Sequence, residues 1–418
     1  VLWNESAHKA AGTALASIVA GLDIFLTMIQ TLPIQPYRKC RRLKPGNGDL
    51  RNCLELAGKF DSVTGSGLLT KMKSIIYMLM SMGLIYGLLV SPGMADAPVI
   101  GLIVKTDTNP FFVKMKEAAR QKAVEFGIEL HTFAGRYDGD TKTQIEAIRH
   151  LVAAGAQGIL LTPSDPAVLA NTVLDAREAG VLVIALDTPF DPADTADATF
   201  ATDNFRAGEL IGMWAKARMG ASVSSASIVT LDGSEAQTTV DVLRNQGFLK
   251  GFGIDLADPR KMYDEDDVRI IGHGTTHGTE AGGRSAMETL IRQKPGMDVV
   301  YAINEPAGAG AHAALRALGM KKEVLLVSID GGCPGVRRVA AGALGATAMQ
   351  YPLRMISLGI EAVVEFAKTG KKPENTPGLD FHDTGVTLVT DKPVAGIPSI
   401  SSKQGLKACW GNADPSHR

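Results

Sequence analysis

From Pro98 onward the chain repeats one unit: a short apolar run, a helical stretch, a glycine, then another run. A first set reads "VIGLIVK" (99–105), "ELHTFA" (129–134), "GILLTP" (158–163), "LVIALD" (182–187) and "ATFATD" (198–203). A second reads "ASIVTLD" (226–232), "VRIIGH" (268–273), "DVVYAIN" (298–304), "VLLVSID" (324–330) and "ATAMQ" (346–350). Runs that are apolar throughout are strands buried on both faces, as in parallel sheets covered by helices. Two similar half-sets therefore predict an α/β protein with two parallel sheets in two lobes. A length of 418 residues suits that plan, as do 45% hydrophobic residues and 45 glycines.

The helices carry their own punctuation. In "DTNPFFVKMKEAARQKAVEFG" (107–127), Asn109 can cap the amino terminus, Pro110 fits the first turn and Gly127 suits the end. Gly180 and Gly319 close later helices in the same way. Phe112, Met115, Ala119, Ala123 and Phe126 make one buried stripe. A helix turns about 100° per residue, so Phe111 falls off that stripe and needs another occupation.

The first 71 residues lack this rhythm, and "MKSIIYMLMSMGLIYGLLVSPGMADAP" follows them. Lys71 and Lys73 form a basic start, Ile75 to Val90 an apolar run, and "GMA" a small-residue cleavage site ending at Ala95. This is the layout of a secretory signal peptide. Either residues 1–71 are a non-native upstream extension and 72–95 a signal peptide cleaved near Ala95, or the run is an uncleaved anchor. Its shortness, and its Gly and Ser, favour the first reading and an exported, soluble product. Beyond the leader only Cys333 and Cys409 remain. An oxidising compartment would favour pairing them, the alternative being two buried thiols. A formal net charge of −1 with no basic stripe argues against a nucleic-acid surface.

Ligands of open parallel sheets bind beyond the carboxyl ends of the strands. Those ends carry Asp107 and Asn109, Ser164, Asp187, Asp203, Asp232, Asn304, Asp330 and Gln350, and Arg244 can project from a helix of the second half. Fixed acceptors with one bidentate donor suit a neutral polyhydroxylated ligand, whose hydroxyls both donate and accept. A flat apolar ring can cover the C–H face of such a ligand. Phe111 is assigned to that role, and Phe112 to either contact or core.

The stretches "TNPFFVKMKEAA", "VIALDTP", "LRNQGF", "AINEPAGAGAHAALRALG", "SIDGGCPG" and "GATAMQYP" together resemble the periplasmic sugar-binding proteins of ABC importers. The nearest group is the ribose- and fructose-binding branch, and the resemblance spans almost all of 98–395. It implies a type I periplasmic binding protein: two Rossmann-like lobes joined by three crossovers. The N-terminal lobe would comprise 98–201 and 351–384, the C-terminal lobe 202–350 and 385–418, with hinges near Thr202 and Gln350. Carried over by motif, the sugar contacts are Asn109, Phe111, Phe112, Asp187, Arg244, Asn304, Asp330 and Gln350. The implied partners are a monosaccharide or polyol, a permease with its ATPase subunit and, in a second role, a chemoreceptor. The protein would be a periplasmic monomer with no cofactor. Thr188 stands where the ribose pattern has an arginine, which loosens the link to ribose. The longer segment "GIDLADPRKMYDEDDVRIIGHGTTHG" is similar to the fructose-binding branch, and no aromatic replaces the one that the ribose group supplies there, although His277 stands nearby.

Other readings stay subordinate. "GAGAHA" (308–313) matches a dinucleotide pattern but reads as close helix packing. His273 and His277 lack a third ligand, so no metal is expected. "DEDD" (264–267) reads as a solvated turn. Asp187 and Asp330 could form a glycosidase pair, but no nucleophile elbow accompanies them. A sugar-responsive transcription regulator would carry a helix-turn-helix where this chain has its leader.

Overall fold

The computed structural model describes residues 97–411 apart from Ala236, Lys321 and Lys322; the upstream extension and signal peptide lie outside this range. The first half runs β1 (Val99–Val104), α1 (Pro110–Phe126), β2 (Glu129–Ala134), α2 (Thr141–Ala153), β3 (Gly158–Leu161), α3 (Pro166–Glu178), β4 (Leu182–Leu186) and β5 (Ala198–Ala201). The second runs α4 (Asn204–Met219), β6 (Ile228–Asp232), α5 (Thr239–Phe252), β7 (Ile270–Thr275), α6 (Glu280–Gln293), β8 (Val299–Ala302), α7 (Glu305–Ala317), β9 (Leu325–Asp330), α8 (Cys333–Ala340) and β10 (Ala346–Met349). Then come α9 (Pro352–Thr369), β11 (His382–Asp383), β12 (Thr387–Val389) and α10 (Ser402–Ala408).

Two six-stranded sheets result, ordered β2-β1-β3-β4-β5-β11 and β7-β6-β8-β9-β10-β12. Within both, every pairing is parallel except β10 with β12. The strand order reverses at β1 and at β6, which opens a crevice at the carboxyl ends of each sheet. The chain passes between the lobes three times, after β5, after β10 and between β11 and β12, and α9 packs on α1, β3, β4 and β5 of the first sheet. Among the described residues no helix is long and apolar enough to cross a membrane.

All ten expected strands are present, several shorter at their carboxyl ends. The reason is local: Asp203 and Asn304 leave their ladders to cap α4 and α7, accepting from Arg206 and Ala307 amides. β11 and β12 were not anticipated, because two and three residues carry no periodicity. On α1 the expected stripe needs correction. Phe111 is buried with Phe112, Met115, Ala118, Ala119 and Ala123, whereas Phe126 is 36% exposed and lies under the Lys122 ammonium. "DEDD" is not simply solvated either: Asp267 pairs with Arg269 at 2.6 Å, and the Glu265 side chain is buried 3.4 Å from His273 Nε2.

Helices α4 and α5 meet backbone to backbone through Gly208 and Gly212 on one and Gly247 and Gly251 on the other. A Cβ on Gly208 would collide with the Arg244 carbonyl oxygen, and one on Gly212 with that of Phe248. Gly310 of the "GAGAHA" stretch makes the same kind of approach to α6, where a Cβ would strike the Glu280 carbonyl oxygen. The small residues thus set how deeply α5, and with it Arg244, sits in the second lobe. Overpacking such a contact costs about 1–3 kcal/mol or more. Gly212→Ala is expected to lower stability by at least about 1 kcal/mol in denaturant unfolding; an unchanged midpoint would mean that the helices are free to separate.

Candidate functional site

Residues at the carboxyl ends of both sheets converge on one cavity. All eight residues carried over by motif line it: Asn109, Phe111, Phe112, Asp187, Arg244, Asn304, Asp330 and Gln350. Four other strand-end residues do not reach it. Asp107 turns away to Lys116 (2.6 Å), Asp203 caps α4, and Asp232 and Ser164 are buried within their own lobes. The lobes also touch directly, since Thr239 Oγ1 donates to the Pro189 carbonyl at 2.5 Å.

From the first lobe, Asn109 Oδ1 accepts the Phe111 amide at 2.9 Å, which fixes the start of α1 beside the cavity. Phe111 is 4% exposed and Phe112 5%, with ring centroids 5.5 Å apart at nearly right angles. Phe111 therefore fills the core and walls the cavity at once; the two roles considered from sequence are not exclusive. Asp187 follows β4 with φ of +64°, an unusual left-handed conformation for a residue with a side chain. Its Oδ2 accepts the Thr188 hydroxyl at 3.0 Å, and the Asn204 amide donates to its carbonyl at 3.2 Å. Thr188 thus satisfies the carboxylate that an arginine would otherwise flank.

From the second lobe, Arg244 projects off α5. Its Nε donates to Asn204 Oδ1 at 2.7 Å and Nη1 to the Ile303 carbonyl at 3.2 Å. The same guanidinium lies 3.6 Å from Asp187 Oδ1 and 3.8 Å from Asp330 Oδ1. Asp330 accepts the Gln350 amide at 3.0 Å and the Glu305 backbone N–H at 3.1 Å. Gln350 Oε1 is buried with no hydrogen-bond partner. Asn304 donates to the Gly278 carbonyl at 3.0 Å.

Sequence reasoning missed part of the wall. Lys105 closes the run "VIGLIVK" and is buried at the cavity, so the strand-end rule applied to its own terminus would have found it. Asp138 and Asp241 join it, Asp241 accepting the Gly233 and Ser234 amides at 3.0 Å each. Glu305, behind Asp330, accepts the Gly331 and Gly332 amides at 3.0 Å and the Thr347 hydroxyl at 2.8 Å. His277 lies outside the cavity in a groove with His273, and no cluster of three metal-ligating side chains occurs among the described residues. Cys333 and Cys409 are joined in a disulfide with Cα atoms 5.0 Å apart.

Several carboxyls titrate high because burial penalises their charge. Burial lifts Asp330 despite the opposing Arg244 charge, and lifts Glu305 with help from the Asp330 charge. Burial also lifts Asp241 against the pull of Lys105. Asp232 is pushed up to about 7 by burial, although Thr230, Asn245 and Tyr263 all donate to it.

Sequence comparison places this geometry among known proteins. Residues 100–372 match the family model described as a periplasmic binding protein domain. The chain is 28% identical to a ribose import binding protein of Haemophilus influenzae over 295 residues, covering 71% of this chain and 94% of the relative. It is 24% identical to the D-allose-binding periplasmic protein of Escherichia coli over 317 residues, covering 74% and 97%. A solved carbohydrate transporter solute binding protein from Agrobacterium radiobacter, in complex with D-arabinose, shares the fold. Its TM-score is 0.62 at 22% identity, with 76% of this chain and 99% of that one covered.

Because Asp232 has a folded-state pKa above its ordinary value of 3.8, its contribution to stability is complete below about pH 4 and fades as pH rises to about 7. His273 and His312, lowered by burial, act in the opposite sense below about 6.5, so the informative quantity is a difference. Asp232→Asn is expected to gain on the wild type by up to about 4 kcal/mol between pH 4 and 8 in calorimetric unfolding. A constant difference would place the Asp232 titration outside this window.

Proposed function

The chain belongs to the periplasmic binding protein domain family, and on that premise we propose that its cavity clasps one monosaccharide between the lobes for delivery to an ABC permease. The observation that carries this reading is the Arg244 guanidinium, held 3.6 Å and 3.8 Å from carboxylates of opposite lobes. Both spans exceed a direct hydrogen bond, and a hydroxyl that donates to a carboxylate while accepting from the guanidinium satisfies both groups. The unpartnered Gln350 Oε1 asks for one more donor, and a sugar hydroxyl supplies it. Asn109, Asn304 and Lys105 offer further polar contacts, while Phe111 and Phe112 cover a C–H face.

Hydrogen bonds to charged groups contribute about 1.5–3 kcal/mol each, and micromolar affinity needs about −8 kcal/mol. That total is reached when both lobes grip the same ligand. The ligand then favours the closed form by its differential affinity, with rotation absorbed near Thr202 and Gln350. The moving bodies in this reading are 98–201 with 351–384 and 202–350 with 385–418. Relatives named for ribose and D-allose binding support a pentose or hexose, and fructose completes the set to test. The matched relatives are named as binding proteins rather than enzymes, which supports reading Asp187 and Asp330 as ligand acceptors rather than a hydrolytic pair. Export through a signal peptide cleaved near Ala95, a monomeric state, a permease with its ATPase subunit and a chemoreceptor partner complete the proposal.

Titration calorimetry with D-ribose, D-allose and D-fructose tests it: one of them is expected to bind at micromolar concentration. Arg244→Ala should weaken that binding by about tenfold or more, since its acceptors are left unpaired. Unchanged affinity in a folded variant would remove Arg244 from the site. Phe111→Ala should lower both affinity and melting temperature, because the ring belongs to core and cavity; a loss of melting temperature alone would leave it only the core role.

A further inference from the structure

One side chain joins the lobes from a part of the chain that the sugar-binding reading does not use. Trp410 follows α10, and its backbone pairs with Gly332 as an isolated parallel bridge. The Trp410 carbonyl accepts the Cys333 amide at 2.8 Å, and its indole N–H donates to the Gln350 carbonyl at 3.0 Å. The neighbouring Cys409 is bonded to Cys333 across 76 residues of sequence. Helix α10 packs on α8 and is tied down at its start, where Ser402 donates to Asp391 from backbone (2.8 Å) and hydroxyl (2.6 Å). All of these anchors belong to the second lobe.

The indole ring, however, is buried among first-lobe residues. It is 8% exposed, sits in the apolar cluster of Val104, Phe112 and Met115, and meets Phe111 edge-on with centroids 5.3 Å apart. Two of its partners, Phe111 and Gln350, line the cavity. Gly332 leaves room for the ring, since a Cβ there would stand 3.3 Å from the indole edge. A ring anchored in one lobe and buried in the other is energetically at stake whenever the lobes rotate apart.

We infer that Trp410, fastened to the second lobe by the Cys333–Cys409 bridge, is a strut that holds the Phe111 ring against the cavity and stabilises the closed arrangement. Trp410 acts through Phe111 and is a positioning residue. The inference rests on reading the cavity as the ligand site. An edge-on aromatic pair adds stabilisation beyond its buried area, and any loss of closed population weakens apparent affinity in proportion.

The test uses the full chain as wild type, Trp410→Ala, Trp410→Phe and Cys333→Ser/Cys409→Ser. Small-angle scattering without ligand is expected to give a larger radius of gyration for Trp410→Ala, with Trp410→Phe close to wild type. Whichever of D-ribose, D-allose and D-fructose binds the wild type should bind Trp410→Ala about tenfold more weakly, and Trp410→Phe within about threefold. The double serine variant, which keeps the ring but frees its anchor, should fall between, and it decides the matter if Trp410→Ala does not fold. Wild-type dimensions and affinity in Trp410→Ala, or in the serine variant in its place, would overturn the strut. So would a Trp410→Phe variant as impaired as Trp410→Ala. If none of the three sugars binds the wild type, the ligand reading fails, while the scattering comparison still decides whether Trp410 holds the lobes together.

Discussion

A buried guanidinium must be surrounded by acceptors, and Arg244 draws a carboxylate from each lobe. Asp187 comes from the end of β4 and Asp330 from the end of β9, while Asn204 and the Ile303 carbonyl hold the arginine in place. Removing either carboxylate would leave an under-compensated charge in a poorly solvated gap. The arrangement of the two sheets is therefore tied electrostatically to one side chain. The same side chain and both carboxylates line the cavity, so the group that holds the gap together is also part of its wall.

That charge can be placed so firmly because the helix bearing it has almost no freedom to shift. Glycines on α4 and α5 bring the two backbones into contact, and the Arg244 carbonyl is one of the surfaces met. Behind Asp330, Glu305 gathers the Gly331 and Gly332 amides and so fixes the turn after β9. Asp330 itself has φ of +146°, outside the common regions for a residue with a side chain, and that turn maintains it. Backbone packing and buried hydrogen bonds thus supply the rigidity around the cavity.

Much of this was legible in the chain itself. Asn109 was readable as a cap because an Asn-Pro pair after an apolar run has few other uses, and Asp187, Asn304 and Asp330 were readable as cavity residues because each ends a strand. The same rule overreached at Asp203 and Asp232. A strand end also starts a loop or helix, and whether its carboxylate caps, pairs internally or faces the gap is decided by neighbours distant in sequence. Phe126 and Glu265 show the converse: periodicity gave Phe126 a buried place that its position at the open end of α1 denies it. Composition made Glu265 a surface acid, although its side chain packs against His273.

What the sequence alone determined is the order of strands and helices, their caps and the polar residue at each strand tip, because these depend on contacts within a few residues. Only the tertiary structure decided that Phe111 is wall and core together, that Lys105, Asp138 and Asp241 share one end of the cavity, and that Trp410 lies against Phe111. Those contacts join residues up to some three hundred positions apart, and no local pattern records them. They arise where chain crossings and a disulfide bring distant segments to the same gap.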